Sequence, residues 1–252
     1  MSGHSKWSTI KRRKGAEDAK RGKIFTRIGR ELMTAAREGG ADASGNPRLR
    51  IAIDKARASN MPKDTIERAI NKGAGIGEDA VEFEEITYEG YGPHGIALMV
   101  DTLTDNRNRT LAEIKYAFNR NNGTMGSSGA VQWQFTQKGY IELSADGVDF
   151  DTLFMIAAEA GADDLEQGDD TISVYTARES LSVVERALSE AGYTVMDSKL
   201  IWSPTNEVEL EPDQAVQVFK LIEKLEELDD VQTVSSNLKV SEEAIAAFEQ
   251  AD

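Results

Sequence analysis

The densest chemistry in the chain is cationic. Lys6, Lys11, Arg12, Arg13, Lys14, Lys20, Arg21, Lys23, Arg27 and Arg30 fall within the first thirty residues, opposed only by Glu17 and Asp18. A block of one sign repels itself, and a polyanion is the simplest partner for it. Phosphates neutralise such cations and release condensed counterions, which gives affinity without sequence preference. Lys11, Arg12, Arg13 and Lys14 are consecutive. One short segment does not offer internal carboxylates to all four. Trp7 stands beside Lys6 and ahead of this run. Its ring can stack on a base, or it can fold back and anchor the segment on the helices that follow. The second reading is preferred, because large aromatics are generally well covered. The plain alternative for the whole stretch is a solvated basic helix that only aids solubility.

The remainder of the chain has the opposite sign. The 252 residues carry a net charge of −15; residues 1–72 hold 18 Lys and Arg against 8 Asp and Glu, and the rest hold 11 against 36. An acidic body of this size repels phosphate and confines it to the basic end. Two further candidates lie inside the body. Arg107 and Arg109 follow Asp105 at the start of an expected helix, where free backbone N–H groups and guanidinium forks both suit phosphate. Their alternative is pairing with Asp101, Asp105 or Glu113. The polar stretch from Asn121 to Gly129 is too long for a simple turn. Within it Gly123, Thr124, Met125 and Gly126 are read as a probe, with glycines that allow close approach to RNA and an exposed methionine. A mobile connector is the alternative.

Catalytic chemistry has little to draw on. There is no cysteine, so neither a disulfide nor a thiolate metal site can form. His4 and His94 are the only histidines, and nucleophilic catalysis needs a base. Asp101, Asp105 and Glu113 could hold magnesium for a nuclease, but carboxylates beside arginines are more often ion pairs. The chain is therefore expected to be no enzyme and to carry no metal or cofactor. Apolar runs such as Ile96 to Val100 are far too short to span a bilayer. The N-terminus has charge without an apolar core, unlike a secretory signal.

The elements follow from periodicity and punctuation. Ile24, Phe25, Ile28 and Leu32 make one stripe of a helix from about Ala16 to Gly39, with the cations mostly off that stripe. Asn46-Pro47 is a helix start, Pro62 opens a third helix, and Gly73 ends it. Gly73-Ala74-Gly75-Ile76-Gly77 has helix before it, the wrong order for a dinucleotide loop, and is read as a hinge. Beyond it, strands are expected at 83–90 and 95–103 and a helix from Asp105 to Asn121. A hairpin at 131–135 and 139–144 precedes a helix at 150–160, a strand at 171–176, a helix at 180–191 and a strand at 194–202. The tail reads as strand 207–210, helix 213–228 and strand 231–236. Residues 81–130 alone supply too few elements to close a core. The expected class is α+β: a three-helix basic domain (1–75), then two ferredoxin-like α/β sandwich domains. One of these is discontinuous (81–130 with 205–240), and the other (131–204) is inserted in it.

Several stretches together resemble the YebC/PmpR family of transcriptional regulatory proteins. They are Gly3-His4-Ser5-Lys6-Trp7, the run Asp18 to Phe25, Asn46-Pro47-Arg48-Leu49-Arg50, Tyr88-Glu89-Gly90-Tyr91-Gly92-Pro93, and Asp105 to Thr110. The resemblance covers nearly the whole chain. It implies a cytoplasmic three-domain protein without a catalytic site, and a DNA-binding transcriptional regulator. The alternative it carries is a ribosome-associated factor or translational activator that relieves stalls through RNA contacts, as in its mitochondrial relatives. The expected partners are DNA, or ribosomal or transfer RNA and the ribosome, with no membrane and a monomeric chain.

Overall fold

The computed structural model describes residues 6–7, 21–76 and 83–251, and backbone alone at 21–24. The chain divides into two compact units. Unit 1 draws on 1–19, 82–136 and 202–252, and unit 2 on 20–81 and 137–201.

Unit 2 contains three helices, α1 (Arg21–Gly39), α2 (Pro47–Ala58) and α3 (Lys63–Gly73). Ile28, Leu32, Ala35 and Ala36 of α1 meet Leu49, Ala52 and Ala56 of α2 and Ile66 of α3 in one buried cluster. Asn46 explains how α1 hands over to α2. Its side-chain carbonyl accepts the Leu49 N–H at 3.0 Å, and its amide donates to Ala35 O at 2.7 Å and Gly40 O at 2.9 Å. One side chain thus caps the start of α2 and holds the last turn of α1. Gly73 does more than end α3: a Cβ there would lie 2.2 Å from Met33 O, so only glycine lets α3 lie this close to α1.

The same unit contains most of a four-stranded sheet. Its elements are β4 (Phe135–Ser144), α5 (Phe150–Ala160), β5 (Ala162–Gln167), β6 (Thr171–Ala177), α6 (Leu181–Glu190) and β7 (Val195–Pro204), in spatial order β5-β6-β4-β7. That β-α-β-β-α-β order is ferredoxin-like. Two sequence expectations are corrected. The hairpin expected at 131–135 and 139–144 is one continuous strand, β4, behind a single 3-10 turn at Gln132–Gln134. Gly139 lies inside this strand, where a Cβ would lie 2.2 Å from Thr176 Oγ1, so the close approach there needs glycine. The strand Ala162–Gln167 went unseen, because its sequence ADDLEQ is that of a polar edge.

Unit 1 is built from segments on both sides of that insertion. It comprises β1 (Glu84–Tyr91), β2 (Ala97–Thr104), α4 (Arg107–Arg120), β3 (Thr124–Met125), α7 (Pro212–Glu226), β8 (Val231–Ser236) and α8 (Glu242–Gln250). The sheet runs β3-β1-β2-β8, and the tail strand β8 pairs antiparallel with β2, with Val234 opposite Val100. Leu98 and Val100 of β2, Ile114 and Phe118 of α4, and Phe219, Leu221 and Leu225 of α7 share one core. The strand expected at 207–210 reduces to a single parallel bridge between Val208 and Leu238. The fold is therefore α+β, three helices followed by two sheet-containing regions with one inserted in the other.

Candidate nucleic-acid interface

The basic stretch is fastened at its start. Trp7 is buried, with its ring 5.2 Å from Phe219 and nearly parallel to it, and 5.8 Å from Phe248. Its Nε1–H donates to Glu226 Oε2 at 3.2 Å, and Lys6 Nζ donates to Val240 O at 2.8 Å. The expected anchor exists, but on α7 and α8 of unit 1 rather than on the helical bundle. Packed in this way the ring is not offered to a base, which corrects the stacking role. Lys11, Arg12, Arg13, Lys14 and Lys20 lie outside the described residues, as do the side chains of Arg21 and Lys23 on α1. Arg27 is exposed on α1, one position from the buried Ile28. The stripe that faces the bundle core leaves it pointing at solvent. Other cations of the bundle are engaged with neighbours: Arg48 with Glu38, Arg57 with Asp54 and Lys63 with Glu67. Exposed pairs of this kind contribute little.

The two arginines of the acidic body have different surroundings. Arg109 bridges Asp105 and the buried Asp230, each at 2.9 Å. Asp230 also accepts from Thr110 Oγ1 at 2.5 Å and Thr104 Oγ1 at 3.2 Å. These charge-assisted bonds hold the Arg109 guanidinium above its ordinary pKa. Asn106 caps α4 by accepting the Arg109 N–H at 3.1 Å. Part of the predicted phosphate cradle is thus filled by the chain itself. Arg107 is two-thirds exposed and pairs with Glu84 at 3.6 Å.

The stretch expected to be an open loop is folded onto the sheet. Met125 pairs with Gly90 and Thr124 with Tyr91, and Met125 is half-buried against the unit 1 core rather than exposed. The close approach that glycine allows is to the chain itself. A Cβ on Gly123 would meet Phe118 and Tyr91 O at 2.9 Å, and one on Gly126 would meet Ala130 at 2.7 Å. Past these residues the buried Glu89 takes over. Its carboxylate accepts the N–H groups of Gly129, Val131 and Gln132 at 2.6, 2.8 and 2.9 Å. Burial pushes that carboxyl up, the three backbone N–H groups pull it down, and the net result lies below the usual range. No sequence signal marked Glu89, because its partners are backbone groups some forty residues away. The carboxylates considered for magnesium are not gathered. Asp101 accepts from Thr87 Oγ1 at 2.6 Å and Trp202 Nε1 at 3.1 Å, whereas Asp105 serves Arg109. Among the described residues no three His, Asp or Glu side chains form a metal-binding group.

The family follows from two matches. Residues 5–76 match the TACO1/YebC protein N-terminal domain, and residues 83–238 match the TACO1/YebC second and third domain. The chain belongs to the TACO1/YebC family. Among its relatives in this family is a protein of Trichlorobacter lovleyi, 51% identical over 96% of this chain and 97% of its own. Another, from Chlorobium chlorochromatii, is 48% identical over 99% and 100%. Both carry the name "Probable transcriptional regulatory protein". The crystal structure of a conserved hypothetical protein from Aquifex aeolicus superposes with a TM-score of 0.81 at 44% identity, covering 89% of this chain and 93% of that one. No helix among the described residues is long and apolar enough to cross a membrane.

Proposed function

We propose that the chain is a cytoplasmic regulatory protein that binds nucleic acid, DNA in the first instance, through its basic N-terminal domain. The observation that carries this reading is the charge division, 18 cations against 8 acids in residues 1–72 and 11 against 36 beyond. A field of two signs orients a polyanion: one end attracts phosphate and the rest repels it. Arg27, exposed beside the buried stripe of α1, and the run Lys11 to Lys14 are the contacts of choice, with Arg107 as an outlying one. The names of the relatives support regulation as the role. In this reading residues 1–75 are the binding domain, and 81–130 with 205–240 and 131–204 are the two domains of the acidic body.

A second reading, a translation factor bound to ribosomal RNA, is favoured by that body. A net charge of this sign suits a crowded RNA–protein site, where repulsion sets orientation, better than an open duplex. Sedimentation of the tagged protein from lysate, with and without RNase and DNase, separates the two. Recovery with chromatin in a DNase-sensitive manner supports transcription. Comigration with ribosomes that Lys11→Glu, Arg12→Glu, Arg13→Glu and Lys14→Glu together abolish supports translation. Neither association, with the purified protein also failing to bind DNA or RNA at low salt, overturns both.

A further inference from the structure

We propose that the outer face of α5, within unit 2, docks a protein partner: a cationic amphipathic helix that seats a bulky apolar side chain against Phe154 and Met155 and sets lysines or arginines against the acids at the ends of α5. The inference goes beyond the nucleic-acid reading above and stands without it. A helix lying on a sheet ordinarily turns one apolar stripe inward and a polar face outward. α5 departs from that pattern. Of its eleven residues, FDTLFMIAAEA, only Asp151, Thr152 and Glu159 are polar. Leu153 and Ala157 are buried in the cluster of the inserted sheet, with Phe150, Ile156 and Ala160 packed against it. Phe154 and Met155 turn the other way and are 47% and 69% exposed. Ala158, also exposed, follows them at spacings of four and three, so the three share one outward face. Adjacent large apolar side chains on a solvent-facing helix mark a surface built to be covered.

The charge around that face fixes the sign of what fits it. From Gly139 to Ala177 the chain has ten acidic residues and neither lysine nor arginine. Asp149 and Asp151 stand at the start of α5, Glu159 in its last turn, and Asp163 and Asp164 just past it at the head of β5; all five are exposed. The acids at the start suit the helix, and Asp149 caps it by accepting the Thr152 N–H at 3.2 Å. Those at the end do not, because the negative end of a helix favours cations, and the last turn of α5 has no basic residue. A cation brought by a partner relieves this excess of negative charge. The same charge argues against other occupants. Nucleic acid and anionic lipid are repelled. A second copy meeting through the same face sets these acids against themselves. The fitting occupant is an amphipathic helix with apolar anchors at helical spacing and basic flanks, which the rim of acids steers and orients.

The probe is a labelled synthetic peptide of about eighteen residues, with leucines at i, i+3, i+4 and i+7 and lysines on the flanks, titrated against the full-length protein. A peptide of the same composition with its leucines scrambled out of register is the control. The amphipathic peptide should bind more tightly than the scrambled one. Phe154→Ser with Met155→Ser should raise its Kd about tenfold, the loss expected when central apolar anchors of an interface are removed, and bring it level with the control. Glu159→Gln with Asp163→Asn and Asp164→Asn should weaken binding at low salt and reduce its salt dependence. These side chains are exposed, so the midpoint of denaturant unfolding should not move. The charge variant leaves the apolar face whole, which keeps the test readable if the serines lower stability. Trp133→Ala, which removes a ring 74% exposed in unit 1, should leave Kd unchanged. Equal binding of the two peptides, wild-type Kd in the double serine variant, or an equal loss for Trp133→Ala overturns the inference, because the acids then attract cations without an apolar seat. A dimer in sedimentation velocity that the double serine variant abolishes also overturns it, by giving the face to a second copy.

Discussion

Each unit half-buries an aspartate on a strand, Asp197 in unit 2 and Asp101 in unit 1, and the two have different partners. In unit 2, Asp197 on β7 accepts from Lys55 Nζ of α2 at 2.7 Å and lies 2.9 Å from Lys199 Nζ; Lys55 in turn reaches Glu31 of α1 at 2.9 Å. Burial pushes the Asp197 carboxyl up, but the two ammonium groups outweigh it and hold it far below the usual range. Lys55 is raised: burial lowers it, and Asp197 and Glu31 more than reverse that. In unit 1, Asp101 has only neutral donors, Thr87 and Trp202, and burial leaves its pKa raised. The difference follows from how each unit is assembled. Unit 1 has a large apolar core fed from three parts of the chain, beside a smaller cluster at Ala97, Met99, Val131 and Phe135. Unit 2 divides its apolar burial among a cluster in the helices, one in the inserted sheet and a small one at Tyr140, Tyr175 and Ile201, and the Lys55–Asp197 bond joins the helices to the sheet. Arg50 of α2, 3.9 Å from the buried Glu185 of α6, adds a second charged link. Unit 1 ties α4 to the buried Asp230 through Arg109 beside its large apolar core, whereas in unit 2 charged bonds link the helical cluster to the sheet.

Three substitutions would break or sharpen that contrast, and the largest effect is expected in unit 1. Phe219→Ala opens a cavity beneath Trp7 and beside Phe248, with an expected loss of about 3–5 kcal/mol, measured by denaturant unfolding. It should expose unit 1 to protease while leaving the salt response of unit 2 alone. Next, Lys55→Met leaves Asp197 with one lysine and Glu31 with none. Breaking a fully buried pair costs about 3–5 kcal/mol, but partial exposure of both groups reduces the expected loss here to about 2 kcal/mol. The sign with pH follows from the depressed Asp197. Its stabilisation is present above the unfolded carboxyl value of about 3.9 and is lost as pH falls from there toward the depressed folded value. The gap between wild type and Lys55→Met should therefore narrow in acid. The smallest effect is expected for Asp101→Asn. A raised carboxyl favours its protonated form, so its contribution is present at low pH and lost as pH rises through the folded value. At pH 7 the amide removes that burial cost while keeping an acceptor for Thr87 and Trp202. The variant should gain up to about 1 kcal/mol, and the gain should vanish below about pH 4. Equal losses on mutating Asp101 and Asp197 would remove the distinction between the units.

Features legible in the sequence were those that local chemistry decides. Asn46-Pro47 reads as a helix start because cap and ring act on their own neighbours, and Asn46 does cap α2. Tyr91-Gly92-Pro93-His94-Gly95 reads as a connection because it needs unusual backbone, and His94 and Gly95 both have positive φ, 58° and 77°. The element count that placed one sheet inside the other needed only a rule about core closure. Features decided at long range were not legible. β5 is a strand because β6 offers it an edge, residues 131–144 are no hairpin because β4 pairs with β6 along its length, and the covered Trp7 that was expected finds its cover in two phenylalanines of the tail rather than in the bundle. For the candidate site, the cations were visible at once. Which were already engaged was not: Arg109 is tied to Asp230 across 121 positions, a distance no motif spans.

The most direct test is the binding of the full-length protein to labelled duplex DNA and single-stranded RNA, measured across a salt series for the wild type and for the fourfold reversal at Lys11 to Lys14. The predicted result is binding that weakens steeply with salt in the wild type. In the variant, binding should be much weaker and the log–log slope flatter, by roughly one for each phosphate that is no longer neutralised. Equal affinity and equal slope in the two proteins would place the polyanion elsewhere and contradict the reading of a basic binding end on an acidic body.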